Sequence, residues 1–154
     1  MSFAHAVFLL PPFHGAGNRE ITARPKCYGF DTGFVMHIKG WDRIRGEDRG
    51  ILWEHLVLDS LRSRFHPNSI FYWRDKSSRE IDFVIHDREN RLHAVECKIN
   101  PDQFEPRSLL AFRARYPHGA NYIVSPFVKE AYTHRYTNLS VTVCPVDEWL
   151  SKHP

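Results

Sequence analysis

Three runs rich in aromatic and β-branched residues, 70–74, 81–86 and 92–99, follow one another along this chain with only short breaks between them. The breaks, around Lys76-Ser77-Ser78 and over residues 87–90, are turn-forming stretches of hairpin length, about two to five residues. Connections that short leave room only for antiparallel neighbours, because a parallel crossover needs a dozen residues or more. The centre of the chain is therefore an antiparallel meander, and everything else must cover its faces.

A helix precedes the meander over residues 51–65, introduced by Gly50 and stopped by Pro67. At about 100° per residue, Ile51, Leu58, Leu61 and Phe65 form one apolar stripe, with His55, Asp59 and Arg62 on a polar side. Glu54 projects from the middle of the stripe. A carboxylate there must be paired, protonated or metal-bound, because an isolated buried charge costs several kcal/mol or more. A second helix is expected over Arg107–Arg115, after Pro106 and before Pro117. A strand over 122–125, a polar stretch, a strand over 140–144 and a closing helix over 146–150 complete the order. Helix, three strands, helix, strand gives an α/β chain with a mixed sheet flanked by helices. Residues 6–10 read as a strand with nothing upstream to pair with, 11–26 as a loop, and 28–38 as ambiguous between strand and short helix.

Within 81–86, alternation places Ile81, Phe83 and Ile85 on one face and Asp82 with Val84 on the other; Leu92, Ala94, Glu96 and Lys98 share a face of the next run. If opposed residue numbers sum to about 178, Asp82 faces Glu96 and Glu80 faces Lys98, and a slip of one residue would separate them. The helix carrying Glu54 is expected to pack over this shared face. Two readings fit the cluster. Two carboxylates with a neighbouring lysine are what a magnesium-dependent phosphodiester hydrolase requires, since Mg²⁺ is held by one or two carboxylates together with water and substrate phosphate. The alternative is a cross-face Glu96–Lys98 ion pair with Asp82 as a capping or surface residue.

Length and composition narrow the field. The 154 residues make one domain, large enough to bury about 68 to 70% of its unfolded surface without disulfide or structural metal. Cys27, Cys97 and Cys144 have no metal-type or disulfide-framework spacing, and the ten histidines show no paired spacing on a helix for zinc. No stretch approaches the ~20 apolar residues of a membrane span. The chain is expected to be cytoplasmic, off the membrane and reduced. A net charge of +3 permits an anionic partner without arguing for one. No nucleophile signature for covalent hydrolysis is present.

Glu54 on a helix, Asp82, and Glu96-Cys97-Lys98 resemble the PD-(D/E)XK nuclease superfamily. Pro25-Lys26-Cys27-Tyr28-Gly29-Phe30-Asp31-Thr32-Gly33, Gly50-Ile51-Leu52-Trp53-Glu54-His55-Leu56-Val57, Tyr72-Trp73-Arg74-Asp75 and Glu80-Ile81-Asp82-Phe83-Val84-Ile85 look like the uncharacterised nuclease-like domain at the C-terminus of a family of prokaryotic AAA+ ATPases. The resemblance implies a restriction-endonuclease-like fold. It further implies Asp82, Glu96 and Glu54 as ligands of Mg²⁺ (or Mn²⁺), Lys98 as the lysine near the attacking water, and DNA or RNA as substrate. An ATPase module or partner protein is implied as well, although no Gly-x-x-x-x-Gly-Lys-[Ser/Thr] phosphate loop occurs here; Ile81 stands where the motif's proline would be. On this reading residues 26–154 are the nuclease-like domain, and residues 1–25 an N-terminal strand and loop, open to being the remnant of a preceding domain. A non-catalytic interaction module of an ATPase assembly, with the acids kept as a buried ion-pair network, is the alternative.

Other residues carry two readings each. Tyr72, Trp73 and Arg74 would stack on bases and contact phosphate, or pack in the core with Arg74 at the surface. Arg107, Arg113 and Arg115 with Lys98 would form a basic wall, or an ordinary solvated helix face. Asp31-Thr32-Gly33 reads as a turn.

Overall fold

A computed structural model describes residues 7–15, 24–136 and 138–151. Ala6 and part of the loop expected over 11–26 lie outside the described residues. The meander forms as expected: β3 (Ile70–Arg74), β4 (Glu80–His86) and β5 (Leu92–Cys97) pair antiparallel. Strand β6 (Asn121–Val124) joins β5 in parallel, and β8 (Leu139–Cys144) joins β6 in parallel. Strand β7 (Tyr132–Tyr136) pairs antiparallel with β8, giving a six-stranded mixed sheet in the order β3-β4-β5-β6-β8-β7. Strand β7 falls in the stretch read as merely polar. As a sheet edge it is exposed along nearly its whole length, so no apolar alternation marks it.

Helices cover both faces. Helix α2 (Asp48–Arg62) sends Val57, Leu58 and Leu61 against Phe83, Ile85 and Val95, with Trp149 of α4 (Val146–Ser151) in the same layer. Each such leucine contributes about 1.5–3 kcal/mol by leaving water. Helix α3 (Arg107–Arg115) covers the other face, where Leu109 and Phe112 meet Trp73, Val84, Leu92 and Ala94. The ambiguous segment splits in two. Strand β2 (Lys26–Gly29) pairs antiparallel with β1 (Val7–Leu10), so β1 does have a partner, and Leu10 sits fully buried in the α2-side layer. Helix α1 (Thr32–Lys39) follows, with Asp31 as its N-cap accepting from the Phe34 N–H at 2.6 Å. The expected turn at Asp31 is therefore a helix start.

Two expected helix details change. Helix α2 begins before Gly50, and Ile51, expected on its apolar stripe, is 40% exposed. His55, read as polar-side, is buried. The β1–β2 hairpin covers that flank, where Nε2 accepts from the Gly29 N–H at 3.3 Å, Nδ1 lies 2.8 Å from the Ile51 carbonyl, and the ring meets Tyr28 at 5.0 Å.

The β4–β5 register sums to 178 at every paired position, from Phe83 opposite Val95 to His86 opposite Leu92. Strand β4 itself is irregular. Phe71 opposes Val84 while Trp73 opposes Ile81, so Asp82 and Phe83 together face the single residue Tyr72. This bulge moves Ile81 into the α3-side layer with Val84, three residues away, where plain alternation would have kept it with Phe83 and Ile85.

At the far end of β4 the turn is tied by Asp87. Its carboxylate accepts from the Arg91 N–H at 2.8 Å, from the Arg91 guanidinium at 2.7 Å, and lies 2.9 Å from His93 Nε2. Burial pulls its pKa upward, but these donors win and hold it well below the usual carboxylate range. A depressed folded-state pKa stabilises the fold above the unfolded value of about 3.9 and loses that contribution as pH falls through the acid range. Asp87→Asn should therefore lower the melting temperature at pH 7, and the gap to the unsubstituted protein should close below about pH 4. A gap that stays constant down to pH 2 would show that the charge of Asp87 contributes nothing.

Among the described residues no helix is long and apolar enough to cross a membrane.

Candidate functional site

The bulge in β4 determines the geometry of the acid cluster. Strand β5 alternates normally: Val95 and Cys97 pack in the α2-side layer and Ala94 in the α3-side layer, which puts Glu96 with Ala94. Helix α2 therefore covers the face opposite Glu96, and the expectation that it packs over the Glu96 face is corrected. The acids nevertheless meet, because Asp82 leaves the regular ladder. Its Oδ2 accepts from the backbone N–H of Cys97 at 2.9 Å, just past the last paired residues of β4 and β5. From there Asp82 lies beside the carboxyl of Glu96 and feels the charge of Glu54.

Two carboxyls that close cannot both be charged at little cost. Burial, then the charge of Asp82, pushes Glu96 up to about 8, and burial, then Glu54, raises Asp82. Lys98 Nζ lies 3.1 Å from Glu96 Oε2. Burial works against the lysine's charge, but Glu96 and Asp82 outweigh it and raise its pKa, so it is a firm ammonium. Its backbone N–H donates to the Val124 carbonyl at 3.1 Å, fixing the residue at the β5–β6 junction.

Glu54 is placed differently. Its Oε1 accepts from Lys26 Nζ at 3.0 Å and from the phenol of Tyr28. Lys26 also reaches Glu80 Oε1 at 2.5 Å, and Glu80 in turn pairs with Arg74. Glu80 thus turns to Lys26 and Arg74, whereas Lys98 pairs with Glu96. Neither Lys26 nor Tyr28 was singled out by the sequence reading. Their spacing of two, which puts both on one face of β2, is the signal that could have found them. Burial, then Glu54, drives the Tyr28 phenol up and keeps it a donor.

The donor set suits a divalent cation in part. Asp82 and Glu96 offer adjacent hard oxygens, the kind of ligand a hard dication takes. Glu54 spends its inward oxygen on β2, and among the described residues no group of three or more His, Cys, Asp or Glu stands ready to hold a metal ion. The fit is to an ion with two protein carboxylates.

The other candidates fall into place. Tyr72 and Trp73 are buried, so both pack in the core rather than stack on a base, and Arg74 pairs with Glu80 at the surface. Arg113 donates to Asn121 Oδ1 at 2.6 Å and to the carbonyls of Tyr116, His118 and Ala120. It clamps the turn before β6 and is not available to a basic wall; Arg115 lies over the Trp73 ring at 5.9 Å.

No curated protein matches the chain. Among solved structures, similarity is found to the "Refined half-complex from tetradecameric assembly of Thermococcus gammatolerans McrB AAA+ hexamers with bound McrC", with 11% identity and a TM-score of 0.43. The match covers 62% of this chain and only 27% of that one, and a likeness this loose carries no argument. The family described as "Domain of unknown function (DUF4143)" matches residues 49–149. That span runs from the first turn of α2, through the meander with Asp82 and Glu96, to α4, and on it the chain belongs to the DUF4143 family.

Proposed function

We propose that this domain is a magnesium- or manganese-dependent nuclease-like module that hydrolyses phosphodiester bonds of DNA or RNA, working in the cytoplasm as the C-terminal part of an AAA+ ATPase-type protein. The observation that supports the chemistry is half-buried Asp82 beside buried Glu96, with Lys98 Nζ 3.1 Å from Glu96. The sequence resemblance supports the substrate class and the ATPase context. Asp82 and Glu96 would hold the ion. A metal bound there polarises a phosphoryl oxygen and acidifies a water. Lys98, kept charged and oriented by Glu96, would orient that water or neutralise the negative charge that grows on the phosphoryl group. The Cys97 N–H fixes the rotamer of Asp82.

A second reading, a non-catalytic interaction module, draws on a different observation: Glu54 and Glu80 are already neutralised by Lys26 and Arg74. One assay separates the two. The protein is incubated with single- and double-stranded DNA and with RNA in Mg²⁺ or Mn²⁺, beside Lys98→Ala. Cutting by the unsubstituted protein, reduced about 10²-fold or more in Lys98→Ala, is expected. No cutting of any substrate, together with no metal binding by calorimetry, would sink the nuclease reading in favour of the interaction module.

A further inference from the structure

Lys26 touches two acids of the cluster, Glu54 and Glu80, where Lys98 touches one. It does so from β2, which belongs to a separate two-stranded sheet. The ammonium lies 5.4 Å from the centre of the Tyr72 ring, and the side chain is only 19% exposed. Tyr28, two residues along the same face, gives its phenol to the same Glu54 oxygen. Its ring is wedged against His55 at 5.0 Å and Phe83 at 6.2 Å, so the hydroxyl has little freedom to move away. Glu54 is thus held toward β2 by two donors on one oxygen.

We propose that Lys26 and Tyr28 are positioning residues that set the affinity of the acid cluster for a divalent cation: they tie Glu54 to β2 and supply positive charge beside Asp82. This rests on the reading of Asp82 and Glu96 as metal ligands. Two effects run in the same direction. The ammonium of Lys26 repels an incoming cation through a poorly screened, half-buried environment. Its pairing also removes one of the three carboxylates from the ligand set. Among the described residues, Lys26, Lys98 and Arg74 already pair with Glu54, Glu80 and Glu96, so the seated cluster offers a further dication less negative charge than its four carboxyls alone would.

The test is calorimetric titration with Mn²⁺ and with Mg²⁺, with no nucleic acid present, of the unsubstituted protein, Lys26→Met, Lys26→Arg, Tyr28→Phe and the double variant Lys26→Met/Glu54→Gln. Lys26→Met should bind Mn²⁺ at least tenfold more tightly. Tyr28→Phe, which keeps the ring and every apolar contact, should gain a few-fold. Lys26→Arg should stay at the starting affinity, and Glu54→Gln should cancel the gain of Lys26→Met. Equal or weaker binding by Lys26→Met, or no gain in Tyr28→Phe, overturns the positioning role while the metal reading stands. No binding by any of the proteins overturns the metal reading, and this inference with it. Tyr28→Phe keeps the test decisive even if Lys26→Met fails to fold.

Discussion

Asp82→Asn should abolish metal-dependent cutting, by at least about 10³-fold, while leaving the protein as stable as before or more so. The loss follows from the position of Asp82. It sits in the β4 bulge, opposite Tyr72, where it meets both the Glu96 carboxyl and the field of Glu54. An amide there is a poor ligand for a hard dication and leaves Glu96 as the single remaining carboxylate of the pair. Glu96→Gln should fail equally.

The stability half comes from the same geometry. Asp82 and Glu96 crowd two carboxyls together, Glu96 buried and Asp82 half-buried, and putting a neutral amide in place of one relieves repulsion and desolvation together. The isosteric amide can still accept the Cys97 N–H through its oxygen, so the local backbone keeps its partner. Thermal melting together with the cleavage assay checks both halves. If Asp82→Asn melts well below the unsubstituted protein, the Asp82–Glu96 pair is structural and the loss of cutting says nothing about chemistry. Unchanged cutting in a folded Asp82→Asn would remove Asp82 from the site altogether. A loss of activity at no loss of stability is the mark of residues kept at a cost to the fold.

What was legible in the sequence was set by local pattern. The meander, its register and the helix Arg107–Arg115 could be read because short turns and strict alternation leave few alternatives. The bulge could not be read, since an extra residue in β4 becomes visible only against the partner strand β3, and pairing with β3 is a long-range fact. That one residue carries much of the site: it moves Ile81 to the other layer and lets Asp82 meet acids arriving from both faces. His55 is buried for a similar reason, because the flank of α2 is covered by a hairpin from another part of the chain. Spacing alone puts Lys26 and Tyr28 on one face of β2, but their partner Glu54 lies 28 and 26 residues away, and that pairing is a long-range fact.

Gly119→Ala should be the most damaging single-methyl change in the described fold, costing about 3 kcal/mol or more. Gly119 lies in the turn between α3 and β6, with φ of +130°, a region that residues with a Cβ rarely enter. A Cβ built there would stand 2.0 Å from the Leu92 carbonyl oxygen and 2.6 Å from its carbon, and both are backbone atoms of β5. The neighbourhood cannot easily give way. The Leu92 N–H donates to the His118 carbonyl at 3.2 Å, and Arg113 binds the carbonyls of Tyr116, His118 and Ala120 from the other side. Relief would mean breaking the start of the β5–β6 pairing, the parallel junction that joins the meander to the rest of the sheet. For a chain of this size each kcal/mol is about 2–4 °C, so the melting temperature should fall by roughly 6–12 °C or more. Gly40→Ala is the control: Gly40 also has a positive φ, +66°, but its Cβ would meet nothing within 4 Å, so only the backbone term of about 1–2 kcal/mol applies. If the two variants melt together, the close approach to Leu92 is not what holds this turn, and the β5–β6 junction tolerates more movement than its hydrogen bonds imply.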